Sequence, residues 1–575
     1  MREECPRPDF VHESGWRSLN GTWEFAFDPE GRGERDGYIE KGVPFPLSID
    51  VPFAPECALS GIGDTGFHDR CYYRRRFALE RKKNRSYRLT FMAVDYSCEV
   101  YVNRKKAFAH VGGATAFSFL LDSFLVDGEN EIALRVYDPG KKKDIPRGKQ
   151  YWEEESEIIW YTRTTGIYRS VYLEELPSFH LAHAAANGSY AKKECLLRYE
   201  VSRPGLVLEA RLLDGSSVLW SGRALIEETS GQITFGLANA AIEPWSPNNP
   251  RLYELELAYG EDKARTRVGF RDVEARDGKV YLNGEECYLR LVLDQGYYPG
   301  GNLTAPRKED FLHDIRLAKE MGFNGARVHQ KTPDPWFYRY ADEEGFLLWT
   351  ESPSCFLYSP SGAKALEGEW SDIVKDAYGH PSVIAYTPNN ESWGIDDISR
   401  EAEQLAFAER MYRLLKELDP TRLVISNDGW ENPLTDLVGI HDYSDDEPKR
   451  YEAFKKRLSS KERMVEDSPN ADRRVFAPGR EQMDKPFVLS EYGGIPFNAD
   501  DSTRIWGYGS FESREGFLAR YRKTQEAVAS SPYLAGYCYT QLYDVEQEIN
   551  GLLTFDRKPK ADVKIIKEIN GIVPK

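Results

Sequence analysis

The amino-acid sequence predicts a multidomain β and α/β fold: a jelly-roll β-sandwich over residues 1–177, an immunoglobulin-like β-sandwich over 178–273 and a (β/α)8 TIM barrel over 274–575. Three observations predict it. The chain has 575 residues, which suits about three or four domains. Short runs of alternating apolar and polar residues fill its first half, and apolar strands alternate with helical segments after Asp277-Gly278.

The first domain has no helical period of useful length, and turn clusters such as Asp127–Asn130 interrupt its alternating runs. The number of short strands is typical of a jelly roll. Its clearest strand candidates are Tyr87–Phe91, Cys98–Asn103 and Glu131–Tyr137.

The second domain has the same alternation over about 100 residues, the usual length of an immunoglobulin-like sandwich. The Cys…Trp…Cys signature of antibody domains is missing, so this prediction depends on length and strand spacing alone. The strand candidates are Leu196–Val201, Leu206–Leu213, Gln232–Leu237 and Leu252–Ala258.

The third domain contains as many strand candidates as a (β/α)8 barrel needs, each followed by a helix or a loop. The helical candidates Arg307–Met321 and Pro335–Glu344 separate the first three strands. The strand candidates are Leu289–Leu293, Gly325–His329, Phe346–Glu351, Val383–Tyr386, Leu423–Ser426, Leu437–His441, Phe487–Glu491 and Gly536–Tyr539.

Composition excludes several classes of partner. The formal net charge of −17 repels nucleic acid and anionic lipid, so we expect neither nucleic acid nor a membrane as a partner. No apolar segment follows the N-terminal charges and no long apolar window occurs, which predicts a cytoplasmic protein. The eight cysteines have irregular spacings without a CxxC pattern, so we expect reduced thiols and no zinc site.

Polar residues stand at the carboxyl ends of the predicted barrel strands, where catalytic groups of such barrels lie. Glu391 ends the fourth strand and Glu491 ends the seventh. Two opposed carboxyl groups about 5–5.5 Å apart suit glycoside hydrolysis with retention, in which one attacks the anomeric carbon and the other protonates the leaving oxygen. The alternative, that both are solvated or salt-bridged strand ends, is about equally compatible with these positions alone.

Several motifs resemble those of glycoside hydrolase family 2, which contains β-galactosidases, β-glucuronidases and β-mannosidases, and the resemblance covers nearly the whole chain. The combination of the segments around Glu391 and Glu491 is its most specific part. The motifs are Leu19–Trp23, Tyr73-Arg74-Arg75, Gly112-Gly113, Gly148-Lys149-Gln150, Thr165–Arg169, His380-Pro381-Ser382, Asn389–Gly394, Phe487–Gly494, Trp506–Gly509 and Asp556–Lys560.

The resemblance implies a role for each of these site residues. It makes Glu391 the general acid/base, Glu491 the nucleophile and Asn390 the group that binds the sugar 2-hydroxyl. Tyr443 resembles the family tyrosine that holds the nucleophile, although an aromatic barrel plug is the alternative. His441 lies two residues earlier, so both side chains point into the mouth of the barrel if the strand is regular.

The sequence departs from the family pattern at positions that concern the substrate. Trp160 stands where galactosidases and glucuronidases carry an aspartate. Arg327-Val328-His329-Gln330 replaces Arg-x-x-His, so either His329 is shifted or Gln330 takes its place, and a structural role for His329 is the alternative. Gln541 occupies the region of the usual eighth-strand tryptophan. A magnesium-binding segment is missing after Glu351, so we expect no metal and no cofactor.

The sequence and the resemblance therefore predict a retaining exo-β-glycosidase for a neutral terminal sugar, galactose first and a related pentose or deoxy sugar next. The Asn-x-Lys motif with which family glucuronidases bind the sugar carboxylate is replaced by Glu548-Ile549-Asn550. The alternative is that Glu548 points away and that Lys558 or Lys560 reaches the sugar carboxylate. The alternatives are another family 2 specificity such as β-glucuronidase, a transglycosidase, and a carbohydrate-binding protein without catalysis. A homo-oligomer is compatible with the sequence.

Overall fold

The protein is described here from a computed structural model, which covers residues 2–444, 448–470, 472–497 and 513–574. It contains two antiparallel β-sandwiches followed by a parallel barrel, so the predicted fold class is confirmed. The eight cysteines form no disulfide. No helix among the described residues is long and apolar enough to span a bilayer.

The first sandwich packs a six-stranded sheet on a four-stranded sheet, and its core contains Trp23, Tyr73, Phe91 and Leu134. A short ladder between Val94–Asp95 and Gly166–Ile167 accompanies them. In spatial order, the strands are Leu47–Val51, Gly21–Phe27, Arg70–Leu79, Gly128–Tyr137, Ser97–Val102 and Lys105–Val111 in one sheet, and Phe117–Leu120, Arg85–Phe91, Val171–Pro177 and Trp16–Ser18 in the other.

Strands of the second sandwich alternate between buried and more open side chains, except Leu181–Ser189, which is buried along most of its length. Tyr253–Tyr259 shows this alternation without interruption. Its five-stranded sheet includes Phe10–His12, so the chain contributes a strand to the second sandwich before Trp16–Ser18 joins the first. The other strands are Asp262–Val268, Tyr253–Tyr259, Val207–Asp214 and Ser217–Leu225, facing Leu181–Ser189, Glu194–Val201 and Ser230–Gly236.

The barrel strands are buried along their whole length, because side chains fill the inside and helices cover the outside. They lie in the order β5-β4-β3-β2-β1-β8-β7-β6, all parallel. The strands are β1 (Leu289–Asp294), β2 (Gly325–Val328), β3 (Leu347–Glu351), β4 (Val383–Thr387), β5 (Leu423–Val424), β6 (Val438–Asp442), β7 (Phe487–Gly493) and β8 (Leu534–Thr540).

Several helices around the barrel begin with capping side chains. Asp334 accepts a hydrogen bond from the Trp336 amide and Ser359 accepts one from the Gly362 amide, which satisfies backbone donors in the first turn. The helices are α1 (Lys308–Glu320), α2 (Pro335–Glu344), α3 (Pro360–Ala377), α4 (Ala402–Leu418), α5 (Pro448–Arg457), α6 (Lys461–Glu466), α7 (Arg514–Ala529) and α8 (Val563–Asn570).

A three-stranded sheet closes the amino-terminal end of the barrel. Its strands are Val273–Arg276, Lys279–Leu282 and Glu285–Glu286, and the side chains of Val280 and Leu282 belong to the same core as the barrel interior. The carboxyl ends of the strands form the opposite mouth, where the site lies.

Candidate active site

One fully buried arginine, Arg327 on β2, organises the mouth of the barrel. Its Nη1 donates to Glu491 Oε1 at 2.8 Å and lies 2.8 Å from Asp428 Oδ2. Its Nη2 donates to Asn390 Oδ1 at 2.5 Å, and its Nε donates to Glu351. Although burial lowers the pKa of Arg327, the surrounding carboxylates raise it well above its usual value. The guanidinium therefore stays charged and holds side chains from the ends of four other strands.

Glu491, at the end of β7, is held as a carboxylate. Burial by itself would raise the pKa of Glu491, but the neighbouring His441, Arg327 and His329 outweigh this effect and lower the pKa to about 2. The Tyr443 hydroxyl donates to Glu491 Oε2, which leaves the group oriented as well as ionised. An ionised, fixed carboxylate is what nucleophilic attack on a sugar requires.

His441 lies between the two predicted carboxyl groups. Its Nδ1 is 2.8 Å from Glu391 Oε1, and its Nε2 is 3.0 Å from Asp428 Oδ2 and 3.4 Å from Glu491 Oε1. Burial lowers the pKa of His441, but Glu491 and Asp428 outweigh it and raise the pKa to about 10. The imidazolium thus donates from both ring nitrogens and partly compensates the repulsion between the carboxylates.

Oxygen atoms of Glu391 and Glu491 lie within 4.8 Å of each other, and His441 completes this group. The separation is close to the value of about 5–5.5 Å that is typical of retaining glycosidases. The same three side chains have the donor types and spacing of a metal site. In this structure both ring nitrogens of His441 face carboxylate oxygens, those of Glu391 and Asp428.

Glu391 owes its position to a tight turn after β4. Glu391 and Ser392 have φ values of 53° and 57°, in the left-handed region that costs a non-glycine residue roughly 1–2 kcal/mol. Hydrogen bonds from the Glu391 amide to the Asp428 carbonyl and from the Ser392 amide to Asn427 Oδ1 hold the turn. The turn directs the Glu391 carboxyl toward His441.

The other predicted binding residues lie at different depths. Asn390 is buried. Its side-chain oxygen accepts a hydrogen bond from Arg327, so its side-chain NH2 group is the part that can donate to a ligand. His329 lies 3.0 Å from Glu351, and burial together with Arg327 holds the pKa of His329 well below its usual value. Gln541 is fully buried and donates to Asn550 Oδ1 at 2.8 Å.

A loop of the first sandwich completes one wall of the mouth. Gly148 has a φ of +57°, and a Cβ there would lie 2.2 Å from the Gln330 carbonyl oxygen, so only glycine lets the loop approach β2 this closely. The next residue, Lys149, is 7% exposed. Its Nζ lies 5.8 Å from the ring of Trp160 and 5.3 Å from the ring of Trp393.

Glu548 forms part of the same wall. Its carboxylate accepts hydrogen bonds from the Tyr161 hydroxyl and, at 2.9 Å, from Asn550 Nδ2. Burial raises the pKa of Glu548, and the Lys149 ammonium acts in the opposite direction. Lys560, a candidate for a carboxylate-binding lysine, instead donates to Asp544 at 2.6 Å.

Comparison with known families agrees with this geometry. Residues 273–573, more than half of the chain, match the TIM barrel domain of glycosyl hydrolases family 2, and residues 43–177 match the sugar binding domain of that family. The chain belongs to glycosyl hydrolase family 2. The resemblance of the sequence motifs is thereby confirmed, although the Trp506–Gly509 motif lies outside the described residues.

Relatives of this family 2 chain include proteins named for two different sugars. It is 30% identical over 374 residues to a putative β-glucuronidase of Formosa agariphila, covering 61% of this chain and 44% of that protein. It is 26% identical over 490 residues to a β-galactosidase of Priestia megaterium, covering 73% of this chain and 44% of that protein. The chain thus spans less than half the length of these curated relatives.

A β-glucuronidase from Ruminococcus gnavus, solved with D-glucuronic acid, has a similar structure. The two share a TM-score of 0.78 over 99% of each chain, at 19% sequence identity. At 19% sequence identity, this similarity shows that the two proteins share a fold.

Sequence reasoning missed part of the site. Arg327 and Asp428 stand at strand ends, yet their spacing did not reveal that they connect the carboxylates. Lys149 and Trp393 were parts of family-like motifs without an assigned role. The sequence indicates a role for these two residues only weakly, because Lys149 comes close to Trp393 only when the sandwich loop packs on the barrel.

Replacement of Arg327 should destabilise this family 2 protein strongly. Arg327→Met leaves Glu351, Asp428 and Glu491 without their buried counter-charge, so we expect a loss of about 3–5 kcal/mol in the free energy of unfolding. Urea unfolding followed by circular dichroism measures it. Arg276→Met, at an exposed ion pair, is the matched control. Equal unfolding midpoints for the two variants would contradict the organising role of Arg327.

Proposed function

We propose that the protein is a retaining exo-β-glycosidase. The observation that carries the proposal is the pair formed by Glu391 and Glu491, whose oxygens lie within 4.8 Å at the ends of β4 and β7. The low pKa of Glu491, about 2, supports its assignment as the nucleophile. Glu391 then acts as the general acid and base.

The reaction proceeds in two displacements. A Glu491 oxygen attacks the anomeric carbon while Glu391 gives its proton to the glycosidic oxygen, so the C–O bond to the leaving group breaks as the ester bond to Glu491 forms. In the second step, Glu391 takes a proton from water, and the resulting hydroxide displaces Glu491 from the same face that the leaving group vacated. The sugar is released with its β configuration.

Neighbouring groups support both steps. The hydrogen bonds from Arg327 and Tyr443 orient Glu491 for attack. The amide of Asn390 is directed by Arg327 and would bind the sugar 2-hydroxyl, a contact that strengthens in the transition state. His441 Nδ1 lies 2.8 Å from Glu391 Oε1 and holds this carboxyl group in place at the mouth of the barrel.

We further propose that the sugar is neutral, with galactose first and a related pentose or deoxy sugar next. Glu548 and the buried Asn550 stand where family glucuronidases have an asparagine and a carboxylate-binding lysine. A substrate carboxylate about 4 Å from an ionised Glu548 would cost on the order of 4 kcal/mol at an effective dielectric constant of 20. The charge of Glu548 therefore favours hydroxyl groups over a carboxylate.

One observation favours β-glucuronidase as a second candidate. The buried Lys149 ammonium acts electrostatically on both His329 and Glu548, and within the described part of the chain it has no hydrogen bond or ion pair of its own. A sugar carboxylate would supply the missing acceptor. The name of the relative from Formosa agariphila agrees with this alternative.

A pair of nitrophenyl glycosides separates these candidates. We expect kcat/KM for the β-galactoside to exceed that for the β-glucuronide by roughly a thousandfold, the equivalent of the charge repulsion above. Lys149→Gln should reduce kcat/KM for the galactoside only slightly. If Lys149 instead binds a sugar carboxylate, the same variant should reduce kcat/KM for the glucuronide strongly. A wild-type glucuronide value equal to or above the galactoside value would overturn the neutral-sugar assignment.

The reaction class has its own test. The purified protein should hydrolyse an aryl β-glycoside, and NMR should detect the β anomer of the sugar before mutarotation. Absence of turnover on every glycoside of a panel that covers galactose, glucose, glucuronate, mannose, fucose and arabinose would favour a carbohydrate-binding protein. Appearance of the α anomer first would exclude double displacement.

A further inference from the structure

A cluster of half-buried aromatic rings lies beside the predicted acid/base residue. The ring centroid of Trp160 is 4.8 Å from that of Trp393 and 5.4 Å from that of Phe356. Trp152 packs behind them, 4.6 Å from Trp160 and 4.2 Å from Phe356. Trp152 is buried, whereas Trp160, Trp393 and Phe356 remain partly open. We call these three residues the aromatic platform.

The turn that positions Glu391 also positions the platform. Trp393 follows Glu391 by two residues, and its amide donates to the Asn390 carbonyl at 2.9 Å. The next amide, of Gly394, donates to the Phe356 carbonyl at 3.1 Å, which joins the loops after β3 and β4. The platform is thus built onto the same backbone turn as the group that protonates the leaving oxygen.

The third ring comes from the first sandwich. The Trp160 carbonyl accepts from Gln547 Nε2 at 2.9 Å, so the loop after β8 holds it in place. The Lys149 ammonium lies 5.3–5.8 Å from the rings of Trp160, Tyr161 and Trp393, within the range of cation–π attraction. Two domains therefore fix the platform before any ligand binds.

We propose that the aromatic platform binds the leaving-group side of the substrate, and that its occupant is a second pyranose ring. This inference rests on the proposed function, because it takes Glu391 as the group nearest the departing oxygen. An apolar pyranose face covers partly open indole rings and removes their surface from water.

Charged groups at the border of the platform favour a sugar over a plain aryl group. Lys143 Nζ lies 5.9 Å from the Phe356 ring and Lys149 Nζ lies 5.3 Å from the Trp393 ring. The Tyr151 ring stacks 6.4 Å from the Trp160 ring, and its hydroxyl donates to Glu157 at 3.2 Å. These groups can hydrogen-bond the ring hydroxyls of a sugar, whereas an aryl group would leave them without new partners.

The test uses the covalent intermediate, whose leaving-group side is empty. The enzyme is first inactivated with the 2-fluoro derivative of its best aryl glycoside, and recovery of activity is followed in buffer, with glycerol or with methyl β-D-glucopyranoside. An acceptor hydroxyl gives its proton to Glu391 and takes the sugar from Glu491. We expect the pyranoside to accelerate recovery about tenfold more than glycerol, a difference in the range that aromatic contacts supply.

Variants of the platform residues test whether that acceleration depends on the platform. Trp160→Ala and Trp393→Ala should each lower the ratio of the recovery rate with the pyranoside to the recovery rate with glycerol to about one, whatever their recovery rate in buffer, and Trp160→Phe should restore part of the ratio. Trp16→Ala, at a half-buried tryptophan on an edge strand of the first sandwich, is the matched control and should behave as the wild type. Circular dichroism checks that each variant is folded, and the two independent alanine variants guard against one that is not.

The outcomes separate this inference from the proposed function. A wild-type enzyme that turns over aryl glycosides and is trapped on Glu491, but recovers no faster with the pyranoside than with glycerol, would overturn the platform alone. Acceleration that persists in both alanine variants would also overturn it. Failure of the 2-fluoro glycoside to label the protein would overturn the proposed nucleophile and, with it, the platform.

Discussion

Glu491→Gln should abolish turnover, with a loss on the order of 10⁵-fold or more, because an amide oxygen cannot form the glycosyl ester. No other described carboxylate combines the position at the end of β7 with donors from Arg327 and Tyr443. The initial rate on the best aryl glycoside measures the effect. Mass spectrometry after treatment of the wild type with a 2-fluoro glycoside should find the label on Glu491.

The matched control is Glu367→Gln, at an ion pair with Arg410 on the outside of the barrel. It makes the same chemical change far from the mouth and should keep wild-type activity. The assignment of Glu491 as the nucleophile would be wrong if the label were found on a different carboxylate. It would also be wrong if Glu491→Gln kept more than a small residual rate.

Glu391→Ala should affect substrates according to their leaving groups. A poor leaving group needs a proton from Glu391, so kcat/KM for an alkyl or sugar glycoside should fall by roughly 10²–10⁴-fold. An activated dinitrophenyl glycoside departs without protonation, and its first step should change little. The ratio of kcat/KM values for the two substrates, compared between variant and wild type, measures the role.

Added azide gives the complementary readout for Glu391. The alanine side chain opens space beside His441 and removes a negative charge, so azide can attack the glycosyl-enzyme without a general base. We expect azide to raise the turnover of activated substrates by Glu391→Ala and to leave the wild type unchanged. Equal losses for good and poor leaving groups, without azide rescue, would argue against the acid/base role.

The sequence alone predicted the fold class because its signals are local. Alternation with a period of two marks the strands of both sandwiches, and fully apolar runs such as Leu347–Glu351 mark strands that are covered on both sides. Strand bounds were less accurate where pairing decides them. The fifth predicted strand, Leu423–Ser426, ends at Val424 because Ile425 pairs with Thr435 outside the barrel ladder.

The sequence also determined which residues could take part in the reaction. Glu391 and Glu491 stand in specific motifs at the ends of two strands, and the rules of barrel topology place such ends at one mouth. Their separation, and the roles assigned to them, depend on neighbours that are distant in sequence. His441 is 50 residues from Glu391 in the chain, and its charge comes from carboxylates on other strands.

Only the tertiary structure decided the electrostatics and the walls of the site. The low pKa of Glu491 depends on His441 and Arg327, which lie far from it in the sequence, 164 residues away in the case of Arg327. The wall formed by Lys149 and Trp160 exists because Gly148 lets a sandwich loop reach the barrel. Charge interactions and packing between segments that are distant in the chain produce no periodic pattern in the sequence. The sequence therefore determined the chemistry that is available, and the folded chain determined how it is charged and enclosed.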